Sequence, residues 1–327
     1  MIVTKTPLRA SFVGGGSDLP VFYRKYGGAV VSTAINKFVY ITVNTKFDGR
    51  IRISYTRTEE PPTVAKIRHP LVREALKMLG ITGGLEIASI ADIPAKGSGL
   101  GSSSSYTIGL LLALHAYRGQ FASAERLARE ACEIEIERCG DPIGRQDQYA
   151  AAFGGFNFIE FYPDDSVSVE PIVCQRKTLK IVESNILMFY TGQTRSAGSV
   201  LAHQQKAVGR EKTKQRALQR MVALARQLRV ELQQNNVDAF GEILHENWEL
   251  KRGLAAAISN PRIDDWYQRA RRAGATGGKV LGAGSGGFMI FYAPTERHPA
   301  ITAALGELRP IPFSFEPQGS KIIFVHD

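Results

Sequence analysis

The chain has 327 residues, 44% of them hydrophobic, which is long for one core and enough for two. Its three cysteines (Cys132, Cys139, Cys174) cannot all pair and form no Cys-x-x-Cys. Its six histidines are scattered with no His-Glu-x-x-His, and Met1–Pro7 carries no apolar leader block. A disulfide scaffold, a zinc site and an exported chain are therefore not expected, and the expected location is cytoplasmic. A formal charge of +10 and a pI near 9.5 favour anionic partners.

In chain order, Ile2–Val13 reads as a strand broken by Pro7. The triple glycine Gly14-Gly15-Gly16 follows. A short helix over Leu19–Tyr26 is framed by Pro20 and by Gly27-Gly28. Asp18 can cap that helix. Alternatively, Arg9 and Asp18 flank a stretch of backbone that a ligand can approach closely. Ala29–Ala34, Lys37–Asn44 and Arg50–Ser54 have strand composition, Leu71–Leu79 is helical, and Gly84–Ile90 is a further strand. Strands ahead of a loop and helix indicate an α+β domain, not a doubly wound one.

The last of these strands feeds Pro94-Ala-Lys-Gly-Ser-Gly-Leu-Gly-Ser-Ser-Ser-Ser105, then the apolar helical run Tyr106–Tyr117. Gly97, Gly99 and Gly101 permit a tight turn close to a ligand, and four serines open the helix. A helix start offers unpaired N–H groups and a partial positive charge, so the stretch is suited to an anion, phosphate above all. It is not a P-loop, because Lys96 precedes the glycines, nor a Rossmann loop, because position 104 is serine.

Ser123 caps a helix that runs through Cys139 and is ended by Gly140. Glu133 and Glu137 share one face. Glu135 lies about 200° from each, on the small apolar stripe with Ala128, Cys132 and Cys139. A carboxylate on a packed face needs a partner, and spacing alone leaves a salt bridge and a metal ion equally open. Asp147 stands between two glutamines at a loop-to-helix junction, where capping is its plainer role. Phe156–Phe161 and Val167–Pro171 read as paired strands around Pro163-Asp-Asp165.

A change of character near Lys177 suggests a boundary, dividing the chain into 1–175 and 176–327. Ser184–Tyr190 is a strand, and Thr191–Arg195 a polar turn. Ser199–Gln234 and Val237–Leu250 are long helices, with another over Asp264–Ala273. The basic run Lys206–Arg229 reads as a solvated helix face. No RNA-reading aromatic motif accompanies it, so nucleic acid is not expected as a partner. No apolar run reaches membrane-spanning length, so neither is a membrane. Gly282, Gly284 and Gly287 satisfy a formal GxGxxG, but Phe288–Tyr292 after them is a strand, so this loop is better read as a backbone wall beside a ligand. Ile322–Val325 is the last strand.

The glycine-serine stretch resembles the Pro-x-x-x-Gly-Leu-Gly-Ser-Ser loop of the GHMP kinases, the small-molecule kinases that include galactokinase and mevalonate kinase, with one extra residue between Pro94 and Gly99. Thr6–Asp18 and Lys279–Gly287 resemble the family's first and third motifs, in the right order. Within the family, Gly14–Pro20, Tyr26–Ile35 and Ile143–Gly155 resemble the D-glycero-D-manno-heptose 7-phosphate kinases, with fucokinase domains next.

The resemblance implies a two-domain α+β fold with the active site in the cleft between the domains, and the nucleotide held mainly by residues 1–175. It implies ATP and Mg²⁺, and a phosphorylated sugar as the other substrate. It implies that Lys96, Gly97, Ser98, Gly99, Leu100, Gly101, Ser102, Ser103 and Ser104 wrap the ATP phosphates, with Ser103 and Glu135 at the metal. Asp147 matches the family's catalytic aspartate and Arg9 its basic partner. Asp18, with Gly15 and Gly16, matches the sugar site, and Gly284 and Gly286 shape the far wall. Arg195 is a candidate cation for the sugar's phosphate. The alternatives are a kinase of an unphosphorylated sugar and a non-catalytic sugar sensor. The presence of Arg9, Glu135 and Asp147 together points to an enzyme.

Overall fold

A computed structural model describes residues 1–93, 97–193 and 197–326. In chain order its strands and helices are β1 (Ile2–Val13), α1 (Pro20–Tyr26), β2 (Gly28–Thr45), β3 (Arg52–Ser54), β4 (Thr58–Glu59), α2 (Pro70–Met78), β5 (Leu85–Ala91), α3 (Ser102–Tyr117), α4 (Ala124–Cys132), α5 (Gln146–Phe153), β6 (Phe156–Phe161), β7 (Val167–Pro171), α6 (Arg176–Ser184), β8 (Ile186–Tyr190), α7 (Ala197–Arg210), α8 (Lys212–Gln233), α9 (Ala239–Arg252), α10 (Pro261–Arg272), β9 (Gly277–Val280), β10 (Phe288–Tyr292), α11 (His298–Ala304), β11 (Arg309–Pro310) and β12 (Lys321–Val325). The class is α+β, as the order of elements in the sequence indicates.

The larger sheet is organised on β2. Along one edge β2 pairs antiparallel with β1. Along the other it pairs with β6 through Gly28–Thr33 and with β5 through Val39–Thr45. The expected break in β1 at Pro7 does not occur. Pro7 pairs with Phe38 and Leu8 with Ile35, so a bulge at Asn36 and Lys37 absorbs the irregularity and the strand continues. The same bulge joins the two shorter strands expected over residues 29–44 into one of 18 residues.

α3 lies buried against β1 and β2. Its backbone comes close enough that Thr4 Oγ1 donates to the Gly109 carbonyl at 2.9 Å. Near the helix start, Ser105 Oγ donates to the Pro7 carbonyl at 2.7 Å, which holds that end against the sheet. The smaller sheet has the order β11-β8-β10-β9, all antiparallel.

Two features join the halves beside the site. Phe12 on β1 packs on Phe156 and Phe240, at 5.5 and 5.4 Å between ring centroids. The ammonium of Lys279 on β9 donates to the Ser11 and Phe12 carbonyls at 2.8 and 3.0 Å. The last strand, β12, pairs with β1, so the C-terminal segment returns to the first sheet and the division at residue 175 does not follow the sheets there. Among the described residues no helix is long and apolar enough to cross a membrane.

Candidate active site

The glycine-serine loop ends in Gly101, in the left-handed conformation at φ 74°, and α3 begins at Ser102. Ser98 and Ser102 bridge through their hydroxyls at 2.9 Å, which holds the loop across the helix start. The third motif packs directly on it. A Cβ on Gly99 would stand 2.4 Å from the Leu281 carbonyl oxygen, and one on Gly282 would stand 2.5 Å from the Gly99 Cα. Two glycine-rich segments from opposite halves of the chain therefore meet backbone to backbone, a contact that side chains would forbid.

They border a cavity of about 280 Å³ lined by Arg9, Gly16, Asp18, Gly97–Gly99, Gly101–Ser104, Gln146, Asp147, Gln204, Lys251 and Gly282, among others. Both halves of the chain contribute to its lining. Arg9 is buried, and its Nε and Nη2 donate to the two oxygens of Asp147 at 2.7 and 2.8 Å, a bidentate pair. Its Nη1 donates to the Gly99 carbonyl at 2.6 Å, and its backbone N–H to the Leu100 carbonyl at 3.0 Å. One arginine thus fixes both the carboxylate and the loop. Asp147 sits in the first turn of α5 and keeps its side chain partly exposed to the cavity.

Asp18 does not cap α1; the cap position is Leu19, with no side-chain hydrogen bond. Its carboxylate turns inward and accepts from the Gly16 N–H at 2.9 Å and the Gln146 amide at 3.0 Å. Burial, with the nearby Asp147 charge adding to it, raises its pKa above the ordinary carboxylate value.

Glu135 is fully buried, while Glu133 is half-buried and Glu137 exposed, as the helical spacing requires. Glu135 stands where α4 widens into a π-helical stretch over Glu133–Arg138. Its carboxylate accepts from Ser104 Oγ at 2.7 Å, from Thr107 Oγ1 at 2.5 Å and from the Gln148 amide, with Ser103 Oγ at 3.5 Å. Among the described residues no cation pairs with it. Desolvation pushes its pKa up to about 7; the three hydrogen bonds pull against it and the Asp147 charge adds to it. The salt bridge left open by the spacing is thus not what holds Glu135.

Several functional candidates escaped sequence reasoning. Lys251 on α9 is buried, donates to the Gly282 carbonyl at 2.8 Å, and has its pKa lowered to about 8 by desolvation. Its spacing on α9 was a usable signal: Phe240, Leu244, Trp248 and Lys251 share the buried face, so a lysine occupies an apolar stripe. Gln146 and Gln204 were likewise missed.

Leu100 is buried beneath the loop, outside the cavity lining. Gly15 also lies outside that lining, with Lys251 Nζ and Ser11 Oγ each 3.5 Å from where its Cβ would be. Gly284 and Gly286 stand behind the wall. Their absent Cβ atoms would meet the Ile258 and Gln193 carbonyls at 2.5 and 2.6 Å, while Gly282 and Ala283 face the cavity. Lys96 and Arg195 lie outside the described residues.

A second cavity of about 700 Å³ adjoins the first at Ser102. Val39, Tyr55, His69, Ile90, Ile93 and Tyr106 line it, and the His69 and Tyr106 rings stack at 5.0 Å. Burial lowers the His69 pKa and favours the neutral imidazole.

This loop and ion pair border one cleft lined by both halves of the chain, with the buried Glu135 beside the loop. Residues 66–155 match the GHMP kinases N terminal domain and residues 228–308 the GHMP kinases C terminal. The chain is 31% identical to D-glycero-alpha-D-manno-heptose 7-phosphate kinase of Campylobacter jejuni, over 98% of each chain. It is 27% identical, over 88% of its own length, to the bifunctional fucokinase/GDP-fucose pyrophosphorylase of Arabidopsis thaliana, of which it spans 29%. Among solved structures, one described as a D-glycero-D-manno-heptose 1-phosphate kinase from Bacteroides thetaiotaomicron superposes with a TM-score of 0.81 at 27% identity, covering 100% of both chains. The chain belongs to the GHMP kinases. It is an enzyme, a phosphotransferase acting on an alcohol group.

Proposed function

We propose that the chain transfers the γ-phosphoryl group of ATP to the anomeric hydroxyl of D-glycero-D-manno-heptose 7-phosphate, giving the 1,7-bisphosphate for nucleotide-activated heptose and surface glycans. The observation that carries the reading is the convergence of the Arg9–Asp147 pair, Asp18 and the loop at the start of α3 on one cavity. The heptose kinase relative supports the choice of sugar.

In this reading the base of ATP enters the apolar cavity beside His69 and Tyr106, and the phosphates cross Ser102 onto the N–H groups of the loop. Phosphoryl transfer is mostly positioning and neutralisation of charge. The new bond forms between the anomeric oxygen and the γ-phosphorus, the bond to the β-phosphate oxygen breaks, and ADP leaves. The proton of the hydroxyl goes to an Asp147 oxygen. Arg9 keeps that carboxylate aimed and carries the compensating charge. Asp18 and the Gln146 amide orient the sugar's hydroxyls.

Glu135 and Ser103 fit a magnesium ion. A buried carboxylate lacking a cation among the described residues, with an exposed hydroxyl beside it, supplies hard oxygen ligands that phosphate and water complete. When bound, Mg²⁺ neutralises charge on the phosphates.

A second reading, an unphosphorylated sugar as acceptor, is favoured by one observation. Arg9 and Lys251, the described cations that line the cavity, are already engaged, the first by Asp147 and the Gly99 carbonyl, the second by the Gly282 carbonyl. The two readings separate in an ADP-release assay with heptose 7-phosphate, free heptose and fucose as acceptors. The proposal expects the phosphorylated heptose to be preferred by roughly 10²–10⁴ in kcat/KM, as two charged hydrogen bonds to its phosphate imply. Faster turnover of a neutral sugar would reject it.

A further inference from the structure

Gln204 lies on α7 with its side chain fully buried, and among the described residues neither its amide nitrogen nor its amide oxygen has a hydrogen-bond partner. It lines the same cavity as Asp18, Asp147 and Lys251. Val200, Gln204 and Val208 form the buried stripe of α7, so the amide occupies a position where periodicity calls for an apolar side chain. A buried amide with both ends unsatisfied is costly, and such groups in native structures call for an explanation.

The backbone opposite leaves room for it. Gly16 has φ +105°, and a Cβ there would stand 2.4 Å from Gln204 Nε2. Glycine at 16 is therefore favoured by its conformation, and its missing side chain leaves room for this amide. The same Gly16 donates its N–H to Asp18, so amide and carboxylate are set side by side on one wall.

We infer that Gln204 recognises a hydroxyl of the acceptor, accepting a hydrogen bond from it on Oε1 or donating one to it from Nε2, and that it is a specificity-determining residue of the acceptor site. An uncharged amide offers one acceptor and one donor group. That combination matches a sugar hydroxyl, which is both donor and acceptor, and suits a phosphate poorly, for which charged donors are the stronger partners. Because α7 lies in the C-terminal half while Asp18 and Asp147 lie in the N-terminal half, this contact also ties acceptor binding to the meeting of the two halves. The inference rests on the polyhydroxylated acceptor proposed above, though not on which sugar it is.

The test uses the full-length enzyme with Gln204→Met, which keeps length and volume, and Gln204→Glu, which keeps shape but loses the donor. A panel of phosphorylated and free heptoses and hexoses first establishes the acceptor that the wild type uses. Gln204→Met is expected to raise the acceptor KM roughly 5- to 150-fold with the ATP KM unchanged, the loss produced by one or two hydrogen bonds to a buried partner. The melting temperature of the ligand-free protein should stay level or rise, because an unsatisfied amide has been removed.

An unchanged acceptor KM in both variants, or equal losses toward ATP and acceptor, would overturn the inference. A drop in melting temperature of several degrees in Gln204→Met would do the same, because the amide would then be a structural one. If the wild type prefers a sugar other than heptose 7-phosphate, the substrate assignment fails while Gln204 is still judged on the KM for that sugar.

Discussion

Replacing Glu135 by glutamine separates a buried charge from its surroundings in a measurable way. The ordinary glutamate value of 4.5 rises to about 7 in the folded protein, chiefly through desolvation, and the side chain is fully buried. At about 1.4 kcal/mol per tenfold change in proton affinity, this corresponds to about 3 kcal/mol. Between pH 4.5 and 7 the folded protein holds a proton that the unfolded chain has lost. Stability from this group is therefore fully present below pH 4.5 and declines as pH rises through 7. The glutamine variant has nothing to titrate there.

Urea unfolding of the ligand-free protein at pH 5, 6, 7 and 8 should show wild-type stability falling, relative to Glu135→Gln, by about 2–3 kcal/mol across that range. In turnover, Glu135→Gln should raise the Mg²⁺ concentration required, while Glu133→Gln and Glu137→Gln leave it unchanged. Parallel stability curves for wild type and Glu135→Gln would refute the assignment of a buried carboxylate that lacks a cationic partner among the described residues. Identical Mg²⁺ titrations in all three variants would remove Glu135 from the metal site.

Asp147→Asn should fold and bind nucleotide normally yet lose roughly 10²–10⁴ in turnover, the range for a lost general base; near-normal turnover would remove it from the chemistry. Arg9→Met, which strips Asp147 and the Gly99 carbonyl of their partner, should cost about 3 kcal/mol in denaturant unfolding as well as activity. Lys251, whose value falls from 10.5 to about 8, carries a desolvation penalty that is full below pH 8 and relieved as pH rises toward 10.5. Wild-type stability should gain from this group across that window, and Lys251→Met should abolish the gain in the same unfolding series.

Much of this site could be read from the sequence because it is local. The glycine-serine loop, the Ser123 cap and the Glu135 stripe each depend on spacing within one element. What escaped was long-range or imposed by packing. The break at Glu211 between α7 and α8 has no proline, and nothing in Arg210-Glu-Lys212 forbids a helix. α6 is a polar, amphipathic segment that reads as a boundary, although Thr178 and Val182 are buried. Asp18 illustrates competition between local and distant partners: a cap was available to it, but Gln146, 128 residues away, holds it instead. Lys251 and Gln204 carry the same signature as Glu135, a polar residue on an apolar stripe. That reasoning extended along α7 and α9 would have found them.

In the proposed reaction, phosphate is transferred to carbon 1 of a seven-carbon sugar already phosphorylated at carbon 7. Its most direct test is phosphorus NMR of the product made from D-glycero-D-manno-heptose 7-phosphate and ATP. One new phosphomonoester signal coupled to the anomeric proton is expected, appearing in step with ADP while the original phosphate stays at carbon 7. A new phosphate on any other carbon, or no sugar product while free heptose or fucose is phosphorylated, would contradict it.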